Sequence, residues 1–94
     1  MLVYEVDSVE KSDIVVRAVS ARNAADLLVC KATVRGAAAG RDDVWCFVER
    51  YLKDKSHRVY FTDNAAEAEL TICYVPHRGA AGWVKIHELQ DQLA

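Results

Sequence analysis

The sequence is poor in the features that announce chemistry. It has four glycines in 94 residues, and none builds a phosphate-cradling loop. RGAAAG (35–40) has neither the Lys-Ser/Thr of a P-loop nor the spacing of a dinucleotide fingerprint. No GxSxG elbow surrounds Ser8, Ser12, Ser20 or Ser56. His57, His77 and His87 form no HxxxH or HExxH pair, so no metal site is expected. The three cysteines, Cys30, Cys46 and Cys73, are odd in number and 16 and 27 residues apart, which excludes both a complete disulfide framework and CxxC zinc spacing. Each lies in an apolar run (LLVCKA, VWCFV, TICYV), as a buried thiol in a reducing, cytoplasmic compartment would. No apolar run approaches the ~20 residues that span a bilayer. The start, MLVYEVDSVEKSD, is acidic by residue 5, unlike a signal or transit peptide. Neither charge sign dominates: 12 Lys and Arg face 14 Asp and Glu, a net charge of −2 that most nucleic-acid binders do not share. These absences imply no cofactor, no catalytic residue and no enzyme.

What is present is apolar and ordered. The chain is 52% hydrophobic and 28% charged, too apolar for intrinsic disorder, and its length suits one domain over 1–94. A pattern recurs along it: a run rich in Val, Ile, Leu, Tyr and Phe, then a small polar corner. The corners are VDSVEKSD (6–13), VSARNAAD (19–26), ATVRGAAA (32–39), VERYLKDKS (48–56), TDNAAEAE (62–69) and VPHRGAAG (75–82). Their starts step by 13, 13, 16, 14 and 13 residues. Their seventh position is small in every clean copy: Ser12, Ala25, Ala38, Ala68 and Ala81. Unrelated strands would not share such a column, so the chain reads as an internal repeat over about 3–85. An insertion, GRDD (40–43), accounts for the long step, and a tail follows from 86 to 94.

The linkers IVVRA (14–18), LLVCK (27–31), VWCF (44–47), RVYF (58–61) and LTICY (70–74) are short and rich in β-branched and aromatic residues, which predicts strands. Being apolar on both faces, they are expected to be covered on both sides. The corners read as single helical turns, with Ser8, Ser20 and Asn64 as N-caps, capping-box spacing from Asn64 to Glu67, and Gly79 and Gly82 flanking the last turn. The middle supports two readings. Repeat register makes 44–55 a strand plus a corner, whereas Val44, Phe47, Val48, Tyr51 and Leu52 fall at helical spacing. The expected fold is mainly β, six short strands alternating with helical-turn corners in ~13-residue repeats around one closed core.

Several elements together carry a family resemblance: Val6-Asp7-Ser8 with Ser12-Asp13, Ala25-Asp26-Leu27-Leu28-Val29, Trp45-Cys46-Phe47-Val48 after the insertion, Val59-Tyr60-Phe61 and the closing Ala81-Gly82-Trp83. In their six-fold order they resemble the septoil-knot family of small bacterial domains. The resemblance implies a monomeric, strand-dominated, knotted domain and carries over no catalytic residue.

Two charge patterns remain. Asp13, Asp26 and Glu69 close equivalent corners and read as caps or salt-bridge partners. Arg50, Lys53, Lys55 and Arg58 against Glu49 and Asp54 leave the 49–58 segment at +2 beside Tyr51. Every clear signal concerns packing and none a reaction, so we expect a non-enzymatic domain that meets a protein partner through Trp45, Arg50, Lys53, Lys55 and Arg58, and the threaded path that the resemblance implies would make it kinetically and mechanically stable. The alternative use of the same basic corner is weak binding of nucleic acid or a phospholigand.

Overall fold

The computed structural model describes residues 1–90 together with Gln92 and Leu93. Six parallel strands form a closed barrel: β1 (Leu2–Glu5), β2 (Ile14–Ala18), β3 (Leu27–Lys31), β4 (Val44–Phe47), β5 (His57–Phe61) and β6 (Leu70–Val75). A two-residue strand, β7 (Gly82–Trp83), runs antiparallel to the first half of β3. Around the barrel the order is β4-β1-β5-β2-β6-β3, and β3 closes onto β4. The first three strands thus interleave with the last three.

Four of the crossovers share one construction. Glu5 and Ile14, the end of β1 and the start of β2, both pair with Val59. Ala18 and Leu27 both pair with Ile72, Phe47 and His57 with Val3, and Phe61 and Leu70 with Val16. The chain therefore steps over one strand and resumes at the level at which it left. Parallel neighbours ordinarily need a crossover of a dozen or more residues. Here short corners suffice, because the chain never has to return along the barrel. All four pivots (Val3, Val16, Val59 and Ile72) are fully buried. Only β3 and β4 are neighbours both in sequence and in space, and the insertion lies in the connection between them.

Alternate side chains point into the barrel. Its middle layer is Val3, Val16, Val29, Trp45, Val59 and Ile72, with Met1, Ile14, Leu27 and Leu70 below them, all in one buried cluster. Burying each aliphatic side chain contributes about 1.5–3 kcal/mol. The outward faces of β3, β4 and β6 form a second cluster, in which Cys30, Val44, Cys46 and Val75 pack with Ala38, Ala80 and Ala81 from the corners. That is why these three strands are apolar on both faces. All three cysteines are free and buried.

The corners at Val9–Lys11, Arg22–Ala24, Arg50–Lys55 and Arg78–Ala80 are 3₁₀ turns, and 44–55 is strand plus corner rather than one helix. Ser12, Ala25 and Ala81 occupy one geometry: each is extended, and its N–H donates to the carbonyl three residues back. Ser56 does the same in the fourth corner. Ala68 reaches back four residues instead, to the Asn64 carbonyl. Ala38 departs because the insertion lets its corner wind into a short α-helix, α1 (Arg35–Ala38). The expected caps need correction. The Ser8 side chain makes no capping bond, and the residue before the second turn is Ala21 rather than Ser20. Asn64 Oδ1 accepts the Ala66 N–H at 3.0 Å, an Asx turn. Of the two glycines expected to flank the last turn, only Gly82 has a positive φ, +151°.

The recurring acids have one structural task. The Asp13 N–H donates to the Arg58 carbonyl at 2.7 Å, while the Asp13 carboxylate accepts the Arg58 N–H at 2.8 Å. Asp26 makes the same reciprocal pair with Thr71 (2.8 and 3.0 Å), and Glu69 with Val15 (2.8 and 3.0 Å). Each acid extends the sheet by one rung just before its strand begins, using a carboxylate where a backbone carbonyl would otherwise serve.

The insertion has a comparable role. Asp42 accepts the Trp45 indole N–H on its carbonyl at 2.7 Å and the Trp83 indole N–H on its carboxylate at 2.9 Å. Arg41 holds Asp43 through two bonds of 2.9 Å. This clamp closes the edge of β3 that β4 and β7 share.

Candidate functional site

The structure disperses the basic corner. Trp45 is fully buried in the barrel and its N–H is spent on Asp42, so it presents nothing to a partner. This corrects its expected place on a docking surface: Lys31 pairs with Trp45, which puts the indole on the inward-facing side of β4. Arg50, Lys53 and Arg58 line a groove of about 670 Å³, but Lys55 turns toward a separate groove beside Met1 and His57. The first groove also holds Glu5, Asp7, Glu10 and Asp13. Lys11 pairs with Asp7 at 3.1 Å and Arg58 with Asp13 at 3.3 Å. Burial would raise the Asp13 carboxyl, but the backbone and side-chain bonds from Arg58 outweigh it and hold the group below its ordinary range. The Lys11 hydrogen bond and charge likewise hold Asp7 low. Positive and negative groups balance here, which removes the field an anionic ligand would need.

The histidines also stay apart, and among the described residues no three metal-ligating side chains cluster. His87 stacks on Trp83 with ring centroids 5.6 Å apart, and its Nε2 lies 3.1 Å from the Glu69 carbonyl. Its Nδ1 accepts the Leu89 N–H at 3.1 Å, so the ring pins the C-terminal segment to the barrel.

A site that the sequence reading missed lies at the carboxyl ends of the barrel strands. Glu5, Ala18, Lys31, Phe47, Phe61 and Tyr74, one residue from each strand, line a cup of about 310 Å³. Each is the residue immediately before a corner, so the column that forms the cup was present in the repeat: E, A, K, F, F, Y at 5, 18, 31, 47, 61 and 74. Because the two halves interleave, the aromatics contributed by β4, β5 and β6 alternate around the rim with Glu5, Ala18 and Lys31.

The geometry of the cup is specific. The Phe47 and Phe61 rings stack with centroids 6.1 Å apart and planes inclined by 26°. Lys31 Nζ stands 4.4 Å from the centroid of Tyr74 and 5.4 Å from that of Phe47, within cation–π range of both. Burial, with a smaller contribution from the Glu5 charge, pushes the Tyr74 hydroxyl up to about 12, so it is a neutral donor at physiological pH. Phe47 is 37% exposed although it belongs to a barrel strand. The floor below is apolar and closed by Val3, Val16, Trp45 and Ile72. The cup can hold one small group against π faces, between an ammonium and a carboxylate.

A closed barrel of six interleaved parallel strands, with its open cup at the carboxyl ends, defines the architectural class. Within it, a family model for the 7(1) septoil knot domain matches residues 1–84, and the chain belongs to that family. No curated protein and no solved structure matches the chain. The cup and the clasping acids all lie inside the matched span, whereas His87 and the C-terminal segment follow it. No helix among the described residues is long and apolar enough to cross a membrane.

Proposed function

We propose that the protein is a non-enzymatic recognition module, a rigid barrel that seats one side chain of a partner protein in the cup at its carboxyl ends. The observation that carries this reading is the alternation of three partly open aromatic rings with Lys31 and Glu5 over a closed apolar floor. Partly exposed aromatics in a concave site are the usual anchors of recognition surfaces. In other parallel-strand folds, ligands collect at the carboxyl ends of the strands, and the analogy favours this end. The corner acids, the best candidates for acid–base work, are engaged in backbone bonds, which supports a binding role over a catalytic one. The reading includes a monomeric bacterial protein of the cytoplasm, and the interleaved halves support a threaded chain path and slow unfolding.

Selection from a displayed library of short random peptides tests it. We expect enriched peptides whose affinity falls about tenfold or more when Phe47 is replaced by alanine, since one buried anchor is worth at least ~1.4 kcal/mol. Enriched peptides insensitive to Phe47→Ala but lost with Arg50→Ala and Lys53→Ala would move the site to the basic groove and overturn the proposal.

A further inference from the structure

We propose that the group the cup receives is a partner's lysine ammonium, free or methylated, and that Lys31 occupies its place in the unliganded molecule. The inference rests on the recognition reading above and names its ligand. Lys31 carries its ammonium over two ring faces with no carboxylate within 4.0 Å among the described residues. A strongly hydrated ammonium on an exposed, flexible stem has the whole solvent available to it. That it lies over Tyr74 and Phe47 shows these faces to be placed for a cation. Glu5 stands on the same rim, also without an ion-pair partner among the described residues. Rings that present negative faces, together with a carboxylate held in no direct ion pair, form the composition of an aromatic cage.

Lys31 is tethered and exposed, so it can swing out and leave room for a guest of the same charge. Around the rim it lies between Tyr74 and Phe47, whereas Glu5 lies between Phe47 and Phe61. A guest entering beside Ala18, the one small residue of the ring, meets all three aromatics and approaches the carboxylate on the side away from Lys31. An anionic guest would be drawn to Lys31 but would meet the negative ring faces and Glu5.

The test is NMR titration of the intact protein with tetramethylammonium chloride, against sodium chloride at matched ionic strength, followed on the ring signals of Phe47, Phe61 and Tyr74. We expect these signals to move in the wild type. Lys31→Ser, which removes the internal competitor from an exposed position, should bind the probe about three- to tenfold more tightly, the span of a cation–π contact. Glu5→Gln should bind it at least about threefold more weakly. Equal affinity of wild type and Lys31→Ser would overturn the inference. Benzyl alcohol, a neutral probe of similar size, separates the two levels. If it moves the ring signals while tetramethylammonium does not, the cup stands and the ammonium assignment falls. If neither probe moves them, both fall.

Discussion

At the residue scale the acids that close the corners explain themselves once their partners are known. Asp13, Asp26 and Glu69 are spaced by the repeat, not by a reaction, and each supplies a carboxylate to one backbone N–H at the start of a neighbouring strand. Asp26→Ala should therefore lower stability by about 1–2 kcal/mol, the cost of leaving that N–H without its charged acceptor. Asp26→Asn keeps an acceptor and should lose clearly less; urea midpoints compare the two. Asp13 and Asp43 add a pH dependence. The Arg41 hydrogen bond and charge hold Asp43 low, and Arg58 outweighs burial at Asp13. Both have folded values below their unfolded ones, so their stabilisation is present above the ordinary carboxylate range near ~3.9 and is lost as pH falls through the lower, folded values. Asp13→Asn should flatten the fall in stability between about pH 5 and about pH 2. An unchanged acid limb would show that Arg58 does not hold the charge.

At the scale of elements, much was legible and the reason is physical. Runs that open on three or four consecutive apolar residues, such as Leu27-Leu28-Val29-Cys30 and Ile14-Val15-Val16, are covered on both faces over that stretch, and the segments are strands at the residues the sequence indicated. The small column marks real close packing, most clearly at Ala25 and Ala38, both fully buried. Ala25→Val should overpack the second corner and cost about 1–3 kcal/mol, whereas Ser12→Val, at a partly open position, should cost little; thermal or urea unfolding distinguishes them. What was not legible is which strands are neighbours, because a period of 13 fixes spacing along the chain and nothing about interleaving. Two misreadings follow from that. Trp45 looks like a surface anchor until its place opposite Lys31 turns it inward. The cup escapes notice because its six residues share no residue type, only a column, and gain meaning only when the barrel brings their strand ends together.

At the scale of the whole molecule, every barrel pairing except β3 with β4 joins strands that are not consecutive. Val3, for example, pairs with His57, and Val16 with Leu70. Almost no barrel pairing can form before distant segments meet, so folding must close long loops early. Interleaving also means that neither half can leave the barrel without opening the other. We expect refolding from urea on a timescale of seconds or slower and unfolding slower still, followed by tryptophan fluorescence from buried Trp45. Subsecond unfolding in mild urea would contradict the proposed threading.

Six strand ends converge to place an ammonium against aromatic faces in one open cup. The most direct measurement is the NMR signature of the Lys31 side chain in the free protein. We predict upfield ring-current shifts of its ε-methylene protons, with nuclear Overhauser contacts to both Tyr74 and Phe47, and loss of the shift in Tyr74→Leu. Random-coil ε-methylene shifts with no contact to either ring would contradict it.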